Sequence, residues 1–214
     1  MTREVGTTDS HGHDHSFLKT LRDPRLYALS IIYFTIAAGL YIISFWLPEM
    51  VRSYHVTNAL HIGILTAIPY LVTSIGMVII GRHSDKTRER RWHVALGMIV
   101  AAIGLVAVTF VHTSLPIALI VLSITALGVL TAMPLFWTIP TSYLSSSGSA
   151  GGIAVINSIG LIGGFASPSM LGWVKTTTGS LDYGLYTFAA ALVIGAVLLL
   201  AAMPQRLLRE EVRH

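Results

Sequence analysis

With 214 residues, 53% hydrophobic and 11% charged, and a mean hydropathy of +0.70, the chain has too little polar surface to cover a water-soluble globule, so its solvent is expected to be lipid. The formal charge of +4 and pI near 9.6 do not indicate a nucleic-acid binder, because the basic residues fall in short runs between apolar stretches and not along one soluble face. The absence of cysteine excludes a disulfide framework and a thiolate metal site.

The opening residues MTREVGTTDSHGHDHS are polar and have no apolar centre, which excludes a secretory signal peptide. Within them His11-Gly-His-Asp-His15, beside Asp9, offers alternate imidazoles and carboxylates of a kind that bind transition metals. The composition of residues 1–20 predicts a disordered cytoplasmic tail, and neither a metal nor any other cofactor is assigned to the chain.

A bilayer core roughly 30 Å thick takes about 20 helical residues to cross, with every backbone polar group bonded inside the helix. Six segments reach that length: Leu26–Leu47, Leu60–Gly81, His93–His112, Leu115–Trp137, Gly151–Val174 and Gly184–Met203. The expected fold is an all-α membrane domain of six transmembrane helices over residues 21–206, followed by a cytoplasmic tail at 207–214. Charge placement fixes the expected orientation, because lysine and arginine accumulate in cytoplasmic loops. With the N-terminus inside, only Arg52 and Lys175 of the 14 basic residues fall outside, and both termini are cytoplasmic. All 10 carboxylates lie in loops, tails or span ends, so these helices lack an obvious proton-carrying acid at the membrane centre. His61, His93 and His112 sit at span ends, where an imidazole reaches water.

In the first span Ser30, Tyr33, Ala37, Tyr41 and Ser44 recur at helical spacing and form a less apolar stripe. Thr66, Pro69, Tyr70 and Thr73 do the same in the second. Tyrosines near span ends commonly serve as interfacial belt residues, so Tyr33, Tyr41 and Tyr70 are second-rank candidates for a binding surface. The next loop reads Gly81-Arg-His-Ser-Asp-Lys-Thr-Arg-Glu-Arg-Arg91. A glycine ending one helix permits close packing or a left-handed cap, Asp85 can cap or pair near the start of the next helix, and the basic cluster holds the loop on an anionic leaflet. By charge alone it is an ordinary positive-inside loop.

In the fourth span, Met133-Pro-Leu-Phe-Trp-Thr-Ile-Pro-Thr141 places two prolines six residues apart and predicts a helix that can bend. Trp137, Thr138 and Thr141 fall on one face: a cavity-lining aromatic with two hydroxyls, or an interfacial tryptophan whose neighbouring threonines bond back to their own helix. The fifth span, GGIAVINSIGLIGGFASPSMLGW, holds one amide, Asn157, at hydrocarbon depth. An unsatisfied amide there costs several kcal/mol, so Asn157 should face helices or water. Gly160 and Gly164 share its face at small-xxx-small spacing, which permits close helix approach. Asn157 is then either interhelical glue or a hydrogen-bonding group of a binding site.

The pattern Gly81, Asp85, Lys86, Arg90, Arg91 after an even-numbered span resembles the signature cytoplasmic loop of the major facilitator superfamily. GRHSDKTRERRWHVALGM, followed by PLFWTIPTSYLSSSGSAGGIAVINSIGLIGGFASPSMLGWVKTTTGS, is similar to the second half of its anion:cation symporters, the phthalate, tartrate, hexuronate and galactonate permeases, over roughly residues 16–206. The second segment carries the specific part of the likeness. Arg88 stands where the loop motif usually has glycine, and the first six spans of a family member are not in this chain.

The resemblance implies one six-helix half of a carrier, built as a 3+3 inverted repeat in the cell inner membrane, with residues 1–20 a remnant of the loop joining the halves. It implies a small organic anion and a proton as cargo. Asn157, Trp137, Thr138 and Thr141 would then contact the anion, and a missing N-terminal half or a second copy would complete the carrier. Two other classes compete: a channel or non-transporting bundle, and an intramembrane serine protease with Ser149 as nucleophile, which lacks a histidine base on the sixth span.

Overall fold

The computed structural model describes residues 20–144 and 149–203; the expectations for the histidine-bearing tail and for residues 207–214 lie outside the described residues. Six helices follow in order: α1 (Pro24–Arg52), α2 (Ala59–Thr87), α3 (Arg90–Val108), α4 (Leu115–Tyr143), α5 (Ser149–Thr178) and α6 (Asp182–Ala202). Each is long and apolar enough to cross a bilayer.

Four of the helices overrun the apolar segments of the sequence by several residues. The hydropathy signal stops where hydrocarbon would stop, whereas a helix stops where its backbone finds caps. Asp23 caps α1 by accepting from the Arg25 amide at 2.9 Å, with Pro24 in the first turn, where a missing N–H is harmless. Asn58 accepts from the Leu60 amide at 2.9 Å and caps α2. α3 is the exception in the other direction. It ends at Val108 and not at His112, because Thr109, Phe110 and Val111 tighten into bonds three residues back.

Of the two roles open to Gly81, close packing or a left-handed cap, the structure shows neither. α2 runs helically through Gly81 to Thr87, and a Cβ on Gly81 would meet nothing within 4 Å. The left-handed turn falls instead on Arg88, at φ 53°. Arg82 through Thr87 carry mainly solvent-facing side chains, so nothing forces the helix to end at the glycine. Asp85 pairs with Arg90 at 3.1 Å at the start of α3. Arg91 reaches across to the far end of the chain and donates to the Met203 carbonyl at 3.0 Å, neutralising the C-terminal end of α6. Lys86 is exposed.

α1 lies at the centre, packed most extensively on α5 and also on α6 and α4, while α3 packs on α4 and α6. The α3–α4 contact is close because glycines face each other there: a Cβ on Gly128 would stand 2.4 Å from the Gly97 carbonyl oxygen. α2 leans on α4 and touches little else. Only 17% of its most apolar stretch and 28% of that of α5 are buried, against 67% for α1. Leu71, Ile75 and Ile79 on α2 are 59–64% exposed. These apolar faces suit lipid or another helical body, not water.

Candidate functional site

The polar and aromatic candidates converge where α1, α4 and α5 meet. Tyr33 on α1 is 3% exposed and stacks on Phe136 of α4, with ring centroids 5.3 Å apart and planes 14° from parallel. Trp137 meets the Tyr33 ring edge-on at 4.7 Å. α5 approaches the other side with its glycines. A Cβ on Gly160 would fall 2.0 Å from Tyr33 Cδ1, and one on Gly164 would fall 2.7 Å from the Tyr41 ring. The Gly160/Gly164 stripe is therefore a seat for two tyrosines of α1, and this seat lets the two helices pack so closely. Ser167 locks the same interface by donating to the Ala38 carbonyl at 3.0 Å.

Asn157 lies one turn before Gly160 on α5, half-buried, and its amide makes no hydrogen bond among the described residues. It stands one turn from the glycine on which Tyr33 rests, with both donor and acceptor free. The two threonines behave differently. Thr138 donates to the Leu135 carbonyl at 2.6 Å and Thr141 to the Trp137 carbonyl at 2.7 Å, so both hydroxyl protons are spent on their own helix. In this conformation they can only accept; donating to a ligand requires rotation about χ1. Tyr41 stacks on Phe45 at 6.0 Å. Tyr70 sits half-buried on α2 and shares no ring contact or side-chain hydrogen bond with the others. The contacting group thus comprises Tyr33, Phe136 and Trp137, with Asn157 one turn from Gly160 on α5 and Tyr41 two turns further along α1.

Two polar clusters flank this group along the α1 axis, and the sequence did not reveal their pairings. At the start of α1, the Tyr143 hydroxyl of α4 donates to the Asp23 carboxylate, and Arg25 Nη1 donates to that hydroxyl at 3.4 Å. At the other end Glu49 accepts from Lys175 Nζ at 2.5 Å and from Arg52 Nη1 at 3.0 Å, with the ammonium 5.5 Å from the Trp46 ring centre. One signal was available in the sequence: Arg52 and Lys175 are the two basic residues that charge placement leaves apart from the rest. Between these clusters no charged side chain among the described residues contacts the Tyr33–Trp137 group, so its chemistry is that of neutral hydrogen bonding and ring stacking. Ser149 opens α5, and α6 carries no histidine to serve it as a base.

A family model described as Major Facilitator Superfamily matches residues 29–212, most of the chain. The chain belongs to the Major Facilitator Superfamily. The six-helix bundle corresponds to one half of that fold, and the chain is a multi-pass membrane protein of a transporter family. It is 43% identical over 186 residues to a protein of Agrobacterium vitis named "Putative tartrate transporter", covering 87% of this chain and 42% of that protein. It is 32% identical over 209 residues to the metabolite transport protein NicT of Pseudomonas putida, likewise named as putative, covering 97% and 48%. The inner membrane transport protein RhmT of Escherichia coli is 36% identical over 180 residues, covering 84% and 42%. The chain thus spans less than half the length of the curated relatives it matches.

Proposed function

We propose that the chain is the C-terminal half of a secondary carrier for a small organic anion (a carboxylate, aromatic acid or sugar acid), working by proton-coupled symport and alternating access in the cell inner membrane. The observation that carries this reading is the uncharged pair of Tyr33 and Trp137 in edge contact between α1 and α4, with the unbonded amide of Asn157 on α5, the helix whose Gly160 seats Tyr33. It can stack on a planar or hydrophobic part of the anion and hydrogen-bond its oxygens, while Thr138, Thr141, Tyr41 and Tyr70 extend the surface. The names borne by the relatives, tartrate and metabolite transport among them, support an organic substrate.

Carrying an anion by symport needs a charge to neutralise it and a group that titrates. No described span holds either at mid-depth, so both are assigned to a partner half seated on the sparsely covered α2 and α5. The basic end of the bundle, with both termini, faces the cytoplasm by the positive-inside rule.

The test is reconstitution into liposomes with an imposed pH gradient and radiolabelled tartrate. The chain alone should give no uptake, whereas the chain with a complementary six-helix half should accumulate tartrate in proportion to the gradient. Robust uptake by the chain alone would overturn the division of labour. A second reading, a helical bundle that acts only through binding a partner half, is favoured by the same exposed faces of α2 and α5; it predicts assembly with that half but no gradient-driven uptake.

A further inference from the structure

The basic ends of α2 and α3 bring two imidazoles together, and the transport reading makes no use of them. His83 Nδ1 lies 2.8 Å from His93 Nε2, with ring centroids 5.1 Å apart and planes tilted by 54°. The remaining nitrogen of His93, Nδ1, rests on the Glu89 backbone carbonyl. A carbonyl only accepts, so Nδ1 carries the proton and Nε2 keeps its lone pair, aimed at His83. Metal-ligating histidines are held in the same way, with the second ring nitrogen donating to a carbonyl or carboxylate that fixes the tautomer.

We infer that His83 and His93 form a two-imidazole clip for a divalent transition-metal ion, zinc foremost, bridging the basic ends of α2 and α3. Zinc–nitrogen bonds of about 2.05 Å at a tetrahedral angle set two ligating nitrogens roughly 3.3 Å apart. The rings therefore need to part by about half an ångström and to turn so that both lone pairs converge on the ion instead of facing each other. His83 has room to do so, since it is exposed near the end of α2. Without metal, the Nδ1 proton of His83 fills the gap as a hydrogen bond to His93. With metal, that proton moves to Nε2 of the same ring, so both rings stay neutral and each offers one lone pair.

Among the described residues no three or more histidines, aspartates or glutamates gather, so the remaining coordination positions fall to water. Asp85 is occupied by Arg90. The surrounding arginines work against a dication, but Arg82 and Arg88 are exposed, Arg90 is paired with Asp85 and Arg91 is turned to the Met203 carbonyl, and coordinate bonds hold the ion. The clip matters mechanically because α2 and α3 touch little beyond their connecting turn. A bound ion would fix the one junction at which α2 is tied to the helix that follows it.

The measurement is calorimetric titration of the purified full chain with zinc chloride. His11, His13 and His15 are first replaced by asparagine, which removes the alternative imidazoles of the N-terminal segment. That background should bind one zinc per chain saturably, and adding His83→Asn or His93→Asn should abolish it. The exposed His83 keeps the test meaningful if His93→Asn impairs folding, with helix content followed by circular dichroism. Copper substituted for zinc should show hyperfine coupling to two imidazole nitrogens in the background variant. Absence of saturable zinc binding there, or binding unchanged by His83→Asn, overturns the clip.

Discussion

The ring of Tyr33 lies so close to the backbone of Gly160 that a methyl group there would sit 2.0 Å from Tyr33 Cδ1. An alanine in a helix interior ordinarily gains about 1 kcal/mol over glycine. Here the sign should reverse, because Tyr33 is boxed by Phe136 and Trp137 and cannot swing aside. Gly160→Ala is expected to destabilise by about 1–3 kcal/mol, as overpacking does. Thermal unfolding in detergent measures it, and pairing the change with Tyr33→Leu should recover part of the loss.

Arg88 holds a left-handed backbone conformation that costs a residue with a Cβ roughly 1–2 kcal/mol. Arg88→Gly should therefore raise stability by about 1 kcal/mol, less the added freedom of glycine in the unfolded chain. Gly81→Ala, in helical backbone with open space at its Cβ, should be neutral or stabilising by up to about 1 kcal/mol. A glycine cap at position 81 would give the opposite ranking, so the two melting temperatures decide between them.

Glu49 joins α1 to α5 through Lys175 and also pairs with Arg52 on its own helix. These groups are about a third to more than half exposed, which keeps the energies modest. Glu49→Gln is expected to cost about 1 kcal/mol, and a double-mutant cycle with Lys175→Met should return a coupling larger than that with Arg52→Ala. Raising the salt concentration should shrink the Arg52 coupling first, since Arg52 is the more exposed partner.

Asn157 has no hydrogen-bond partner among the described residues, so its removal orphans none of them. Asn157→Leu should leave stability within about 0.5 kcal/mol of the parent while abolishing tartrate uptake by the two-half carrier. Uptake that survives the substitution would remove Asn157 from the binding surface. A large fall in stability would return it to the role of interhelical glue.

The amino-acid sequence by itself determined the number of helices, their approximate places and the lipid solvent, because crossing hydrocarbon demands long uninterrupted apolar runs and that demand is local. It also marked Asn157 and the Gly160/Gly164 stripe, since a polar or missing side chain stands out in an apolar helix. It left the turn after α2 open, for glycine is permitted in a left-handed cap but not confined to one, and helix ends in water are set by backbone caps that hydropathy does not register.

Only tertiary structure decided that Tyr33, Phe136 and Trp137 meet, that Tyr70 shares no ring contact with them, and that Glu49 reaches Lys175 from 126 positions away. Helical periodicity says which residues share a face. Which faces meet depends on the depth and register at which whole helices pack, and glycines such as Gly160 set that register through their fit to a specific ring on another helix.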